Sequence, residues 1–91
     1  MCEVLLDKKV FVAKEVRLDP KIKDALWDFV ARIVADPDHP DVIGKEVGEF
    51  RATQFTEGWI LDWEVTSRST QHSSRGKPEQ VKLWDIRGPF S

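Results

Sequence analysis

One amphipathic stretch constrains the fold of this 91-residue chain more than any other feature. Asp19 is followed by Pro20, and proline loses no hydrogen bond at the first helical position because that N–H is unpaired in any helix. Apolar side chains then recur at alternating spacings of three residues and one, which traces a single stripe along a helix. They are Ile22, Ala25, Leu26, Phe29, Val30, Ile33 and Val34. Because Pro37 disfavours helical geometry in the residue before it, the pattern predicts a helix from Pro20 to about Asp36.

The second half of the chain carries three strand-like runs, at 49–55, 59–66 and 79–87. In the middle run, one face is predicted to carry Trp59, Leu61, Trp63 and Val65, and the other Ile60, Asp62 and Glu64. In the last run, Val81 and Leu83 alternate with Lys82 and Trp84. Gly58 can take a positive φ, as a three-residue hairpin loop with a bulge requires, so the first two runs are predicted to form a hairpin.

The sequence predicts the secondary structure of the N-terminal part less clearly. Residues 3–6 are typical of a short strand, whereas residues 8–18 fit two structures. They could form a helix with Asp7 as its N-cap, or the β-branched run at 10–12 could return as a second hairpin arm. Residues 38–47 are predicted to form a linker. This order of elements predicts an α+β fold, with a small antiparallel sheet of three or four strands and one or two helices packed on one face.

Length and charge narrow the class of protein. Ninety-one residues predict one domain, spanning 1–91. The formal net charge is −2, so no strong overall attraction to nucleic acid is expected. Cys2 is the only cysteine, which precludes an internal disulfide and a cysteine-based metal cluster. No charged and apolar leader or membrane-length apolar run is present, so we expect a cytoplasmic protein without membrane contact, metal or cofactor.

Several short sequences, taken together, resemble the RelE/ParE superfamily of toxins. The predicted helix ends in Ala35-Asp36-Pro37, the linker contains Gly44-Lys45, and Phe50-Arg51 opens a hairpin that turns at Gly58 and continues as Trp59-Ile60-Leu61-Asp62-Trp63. The resemblance implies the toxin of a type II toxin–antitoxin pair, neutralised by a small cognate antitoxin. In the RelE branch such a toxin enters the ribosome and cuts mRNA, and in the ParE branch it poisons DNA gyrase.

The resemblance also implies candidate site residues. Arg51 matches the first basic position of the hairpin, and Arg87 lies near the basic end of the last strand, so both are predicted to be catalytic. RNA cleavage by a ribose 2′-OH requires a proton acceptor, cations for the charged transition state and a donor for the leaving oxygen. Four cations are predicted to bind RNA phosphate: Arg51, Arg68, Arg75 and Lys77.

Two alternatives remain open from the sequence. Thr53 and Ile60 stand where many RNA-cleaving members carry basic residues, and the chain contains no tyrosine. One alternative is an endoribonuclease that lacks the usual tyrosine, and the other is a non-catalytic protein-interaction domain or a gyrase-inhibiting toxin. The segment 66–77, with its hydroxyls, His72 and three cations, fits either a phosphate-binding loop or a solvated one. The toxin interpretation places Arg51 on the open face of the sheet, free to contact a ligand.

Overall fold

The computed structural model describes residues 3–68 and 78–90, and of residues 67, 68 and 78 it describes the backbone alone. The described residues form three helices and five strands, in the order β1 (Glu3–Leu6), α1 (Phe11–Glu15), α2 (Pro20–Ala35), α3 (Pro40–Ile43), β2 (Lys45–Val47), β3 (Phe50–Thr56), β4 (Trp59–Arg68) and β5 (Pro78–Arg87). None of these helices is long and apolar enough to cross a membrane.

Helix α2 begins where the sequence predicts and ends one residue before Asp36. The Asp19 carboxylate accepts a hydrogen bond from the Lys21 backbone N–H at 3.1 Å, which satisfies one of the unpaired donors of the first turn. The predicted stripe faces the sheet, and its buried members are Leu26, Phe29, Val30 and Ile33. This layer of α2 side chains forms one half of the core.

Within the ambiguous segment 8–18, only Phe11–Glu15 form a helix, α1. Its N-cap is Val10, so the prediction of Asp7 as the N-cap is wrong. A carboxylate oxygen of Asp7 accepts from the Val10 N–H at 2.7 Å and closes the turn that leads into α1. Phe11 is completely buried and meets the Trp27 ring edge-on at 6.2 Å between centroids. The hairpin alternative is wrong because β1 pairs with β5, where the Asp7 N–H extends the strand by donating to the Leu83 carbonyl at 3.0 Å.

The sheet has the order β1-β5-β4-β3-β2. Strands β2 to β5 form an antiparallel meander, and β1 runs parallel to β5 at the edge. A single core lies between the helices and the face of the sheet that carries Leu61, Trp63, Val81 and Leu83, all of which are completely buried. The α+β class with helices on one face is confirmed, whereas the sheet is wider than the three or four strands expected.

The additional strand comes from residues 38–47, where the prediction of a linker is wrong. Helix α3 starts at Pro40, and the His39 Nδ1 caps it by accepting from the Asp41 N–H at 3.1 Å. Strand β2 then pairs with the start of β3, Val47 opposite Phe50. Gly44 lies between α3 and β2 with a φ of 64°, a conformation that other residues rarely adopt.

A bulge in β5 determines which side chains reach the open face, the side of the sheet away from the helices. Asp62 pairs with Asp85 but Trp63 pairs with Leu83, so Trp84 is an extra residue in β5. Strict alternation from Leu83 would direct Arg87 toward the helices. The bulge reverses this, because Ile86 is buried in the core instead and Arg87 lies opposite Ile60 on the open face.

Candidate functional site

A groove on the open face brings charged and aromatic side chains together on one concave surface. It has a volume of about 340 Å³ and is lined by Val47, Phe50, Ala52, Asp62, Trp84 and Arg87. We call it the open-face groove. Its side chains come from β2 to β5 and project from the face of the sheet opposite the core.

The aromatic part of the open-face groove is held in a fixed geometry. The Phe50 and Trp84 rings meet edge-on, with centroids 5.5 Å apart and planes at 89°. The Trp84 indole N–H donates to a Glu64 carboxylate oxygen at 2.9 Å, and the Lys82 ammonium lies 3.8 Å from the centroid of the same ring. Edge-on aromatic contacts and a cation over an indole face are both favourable, so Trp84 is restrained from three directions.

The polar end of the groove is formed by Arg87. Its Nη2 donates to a carboxylate oxygen of Asp62 at 2.9 Å in a pair that is partly exposed. Its Nε is covered by protein and has no acceptor among the described residues. A guanidinium has five N–H donors, and the bond to Asp62 uses one of them.

The charges around the groove balance. Lys82 and Arg87 supply two cations, and Asp62 and Glu64 supply two carboxylates that contact them or the ring between them. The surface is therefore aromatic and charge-neutral rather than basic, which favours an apolar partner over a polyanion.

Arg51 does not lie on this surface, and the predicted position on the open face is wrong. Its Nη1 donates to the Pro37 carbonyl at 2.7 Å and its Nη2 to the Asp38 carboxylate at 3.0 Å. The guanidinium carbon lies 5.2 Å from the Trp63 ring centroid, and the side chain is 15% exposed. Alternation along β3 explains the position, because Arg51 shares the helix-facing side with the buried Thr53. Catalysis and phosphate binding by Arg51 stay predictions.

The structure does not bring the other predicted cations together with Arg51. Arg87 lies in the open-face groove on the opposite side of the sheet, and its predicted catalytic role also stays a prediction. Arg75, Lys77 and His72 lie outside the described residues, and Arg68 is described only in its backbone, at the end of β4. Their predicted contacts with RNA phosphate stay predictions.

Sequence reasoning missed Val47 and Phe50 as members of the site. Alternation alone places Asp62 and Trp84 on the open face, but nothing in it indicates that Phe50, two strands away from β5, contacts Trp84. The available signal was the excess of large apolar side chains at positions that alternation directs away from the core. Phe50 and Val47 are 41% and 53% exposed, which is unusual for such residues.

A comparison with solved structures identifies the fold. The chain superposes on the crystal structure of the isolated E. coli RelE toxin with a TM-score of 0.68, over 98% of this chain and 85% of the toxin chain. The fold is RelE-like. Sequence identity in the RelE-like alignment is 9%, so the likeness establishes the fold alone. No protein-family model and no curated protein sequence matches the chain.

Proposed function

We propose that the chain is the toxin component of a type II toxin–antitoxin pair and that it acts by binding a protein target through the open-face groove. The RelE-like fold over almost the whole chain supports the toxin assignment. The cognate antitoxin is the expected partner, and DNA gyrase is the target that the ParE branch would imply. The neutral, aromatic groove is the observation that favours protein binding over RNA cleavage.

A second candidate function is ribosome-dependent mRNA cleavage, with Arg87 as the observation in its favour. Arg87 shares the groove with two aromatic rings, and cations beside aromatic side chains can bind phosphate and stack bases. The placement of Arg51 argues against this candidate, because its hydrogen bonds to Pro37 and Asp38 hold the segment after α2. In this candidate, Arg68, Arg75 and Lys77 would supply the phosphate contacts.

Induced expression in a bacterial host tests the proposal. We expect growth to stop, and co-expression of a small neighbouring reading frame to restore it, since a toxin is inactive in complex with its antitoxin. A variant with Phe50→Ser and Trp84→Ala should accumulate as folded protein without stopping growth. Normal growth of cells that contain abundant folded wild-type chain would contradict the toxin assignment.

The same cultures distinguish the two modes of action. Mapping of mRNA 5′ ends during growth arrest should show no new cleavage within codons if the toxin binds a protein. New ends at codon positions that disappear in an Arg87→Ala variant would instead establish the second candidate.

A further inference from the structure

The walls of the open-face groove differ in chemistry, and each wall limits what can bind there. Val47 and Phe50 form the apolar wall. They lie directly opposite each other at the turn between β2 and β3, so their side chains project from the same face of the sheet. Both remain largely exposed, and the edge-on contact with Trp84 holds Phe50 in place. An occupant that buries this wall needs a bulky aliphatic or aromatic side chain.

Arg87 and Asp62 form the opposite wall, which has more hydrogen-bond donors than the Asp62 carboxylate uses. Asp62 accepts from Arg87 through one 2.9 Å bond, so the pair lacks the two parallel bonds of a bidentate arginine–carboxylate contact. The Arg87 side chain is 42% exposed and lines the groove, and Asp62 accepts from its Nη2 alone, while its Nε is covered by protein. A second carboxylate beside the apolar side chain would complement this wall.

The carboxylates around the groove decide between a peptide and a nucleic acid. A nucleic-acid backbone carries one negative charge per nucleotide, and a strand that followed the groove would pass both Asp62 and Glu64. Lys82 already covers one face of Trp84 at 3.8 Å, which leaves that face unavailable for stacking by a base. A peptide can place one carboxylate opposite Arg87 and uncharged residues elsewhere.

We infer that the open-face groove recognises a segment of a protein partner in which a bulky apolar side chain is next to an aspartate or glutamate. The inference rests on the proposed function because it takes the partner to be a protein, and it adds the chemistry by which that partner is selected. Phe50 and Trp84 bind the apolar side chain, and Arg87 selects the carboxylate.

NMR titration of the full, ¹⁵N-labelled chain tests the inference with two blocked peptides, acetyl-Leu-Glu-amide and acetyl-Leu-Gln-amide. The reporter is the indole N–H of Trp84, and that of Trp27, which donates to Glu15 on the helical side, is the internal control. We expect the glutamate peptide to move the Trp84 signal alone. The glutamine peptide should bind roughly two- to fivefold more weakly, as expected for the loss of a partly exposed charge pair.

Two variants make the result specific. In Arg87→Gln the two peptides should bind equally, and in Phe50→Ser both should bind more weakly while the rest of the spectrum shows an intact fold. An unmoved Trp84 signal, or equal affinities for the two peptides in the wild-type chain, would overturn the inference. So would uridine 5′-monophosphate moving Trp84 where the peptides do not.

The titration tests the groove chemistry and the growth assay tests the toxin assignment, so either can give a negative result without the other. Growth arrest together with an unmoved Trp84 signal would remove the groove chemistry and leave the toxin assignment. Peptide selectivity without growth arrest would support the groove chemistry and count against the toxin assignment.

Discussion

Arg51 and Thr53 are polar side chains on the apolar side of β3, and together they hold residues 37–43 against the sheet. The Thr53 hydroxyl lies 2.6 Å from the Val42 carbonyl and accepts from the Trp63 indole N–H at 3.1 Å. Arg51 binds the Pro37 carbonyl and the Asp38 carboxylate. Buried polar groups are tolerated when hydrogen-bonded, so these contacts attach an irregular segment without leaving unpaired donors in the core.

Replacement of Arg51 is therefore expected to reduce stability. Arg51→Ala removes two hydrogen bonds and leaves the partly buried Pro37 carbonyl without its donor, so the free energy of unfolding should fall by about 1–3 kcal/mol. Urea unfolding followed by circular dichroism measures the change. Arg32→Ala is the matched control, because Arg32 is exposed on α2 and should lose less than about 0.5 kcal/mol. Equal stabilities for the two variants would show that Arg51 is free for another role.

The alternation of side chains predicts most of the faces in the sheet, and in β5 it fails beyond the bulge at Trp84. Leu61 and Trp63, and then Val81 and Leu83, are buried as the pattern requires. Beyond Leu83 the pattern would place Arg87 on the helical side, and the bulge at Trp84 brings it to the groove instead. A bulge depends on the partner strand, so a pattern within β5 alone could not have shown it.

At the scale of whole elements, the structures that could be predicted are those with a long internal pattern. Helix α2 carries one apolar stripe over four turns. In β4, core-facing apolar residues alternate with residues that face outward. Helix α3 and strand β2 have four and three residues, too few for a periodicity to be recognised. Contacts from Thr53 and the pairing with β3 hold them, and these interactions connect residues that are distant in the sequence.

Gly44, between α3 and β2, tests how tightly this region packs. A β-carbon there would lie 2.5 Å from the Ala52 carbonyl oxygen, and the φ of 64° is unfavourable for alanine. Gly48 has a nearly identical φ of 63° with nothing within 4 Å. Gly48→Ala should cost about 1–2 kcal/mol for backbone conformation alone, and Gly44→Ala roughly 1–3 kcal/mol more for the steric conflict. Thermal unfolding of both variants measures the difference. Equal losses would mean that the β2–β3 pairing relaxes around the new methyl group.

For the whole molecule, the sheet order joins the two ends of the chain. Strand β1 pairs in parallel with β5, with Val4 opposite Val81. The first and last strands are therefore neighbours in the sheet. Neither strand carries a local signal for that partner, and the same apolar residues would also suit an antiparallel hairpin. The sequence patterns predict an antiparallel sheet, so the parallel pairing of β1 with β5 was not predicted.

The distribution of charge over the whole molecule leads to a last prediction. Residues 1–50 contain 8 basic and 11 acidic side chains, and residues 51–91 contain 6 and 5. In the described part, Arg51 and Arg87 are paired with carboxylates, and Lys82 stacks on Trp84. We expect the isolated protein to bind a short single-stranded RNA with a Kd no tighter than about 0.1 mM at physiological salt, the weak end of nonspecific binding.

Fluorescence anisotropy of a labelled RNA, measured at two salt concentrations, would check this expectation. Because the formal net charge is −2, and Arg51 and Arg87 are paired with carboxylates, any residual binding should depend only weakly on salt. Micromolar affinity with a steep salt dependence would contradict protein binding as the mode of action. If Arg68→Ala, Arg75→Ala and Lys77→Ala together abolished that affinity, these three cations would be the phosphate contacts that the sequence predicts. If the triple variant kept its affinity for RNA, Arg87 would be the next cation to test. It lines the groove, and Asp62 uses only one of its donors.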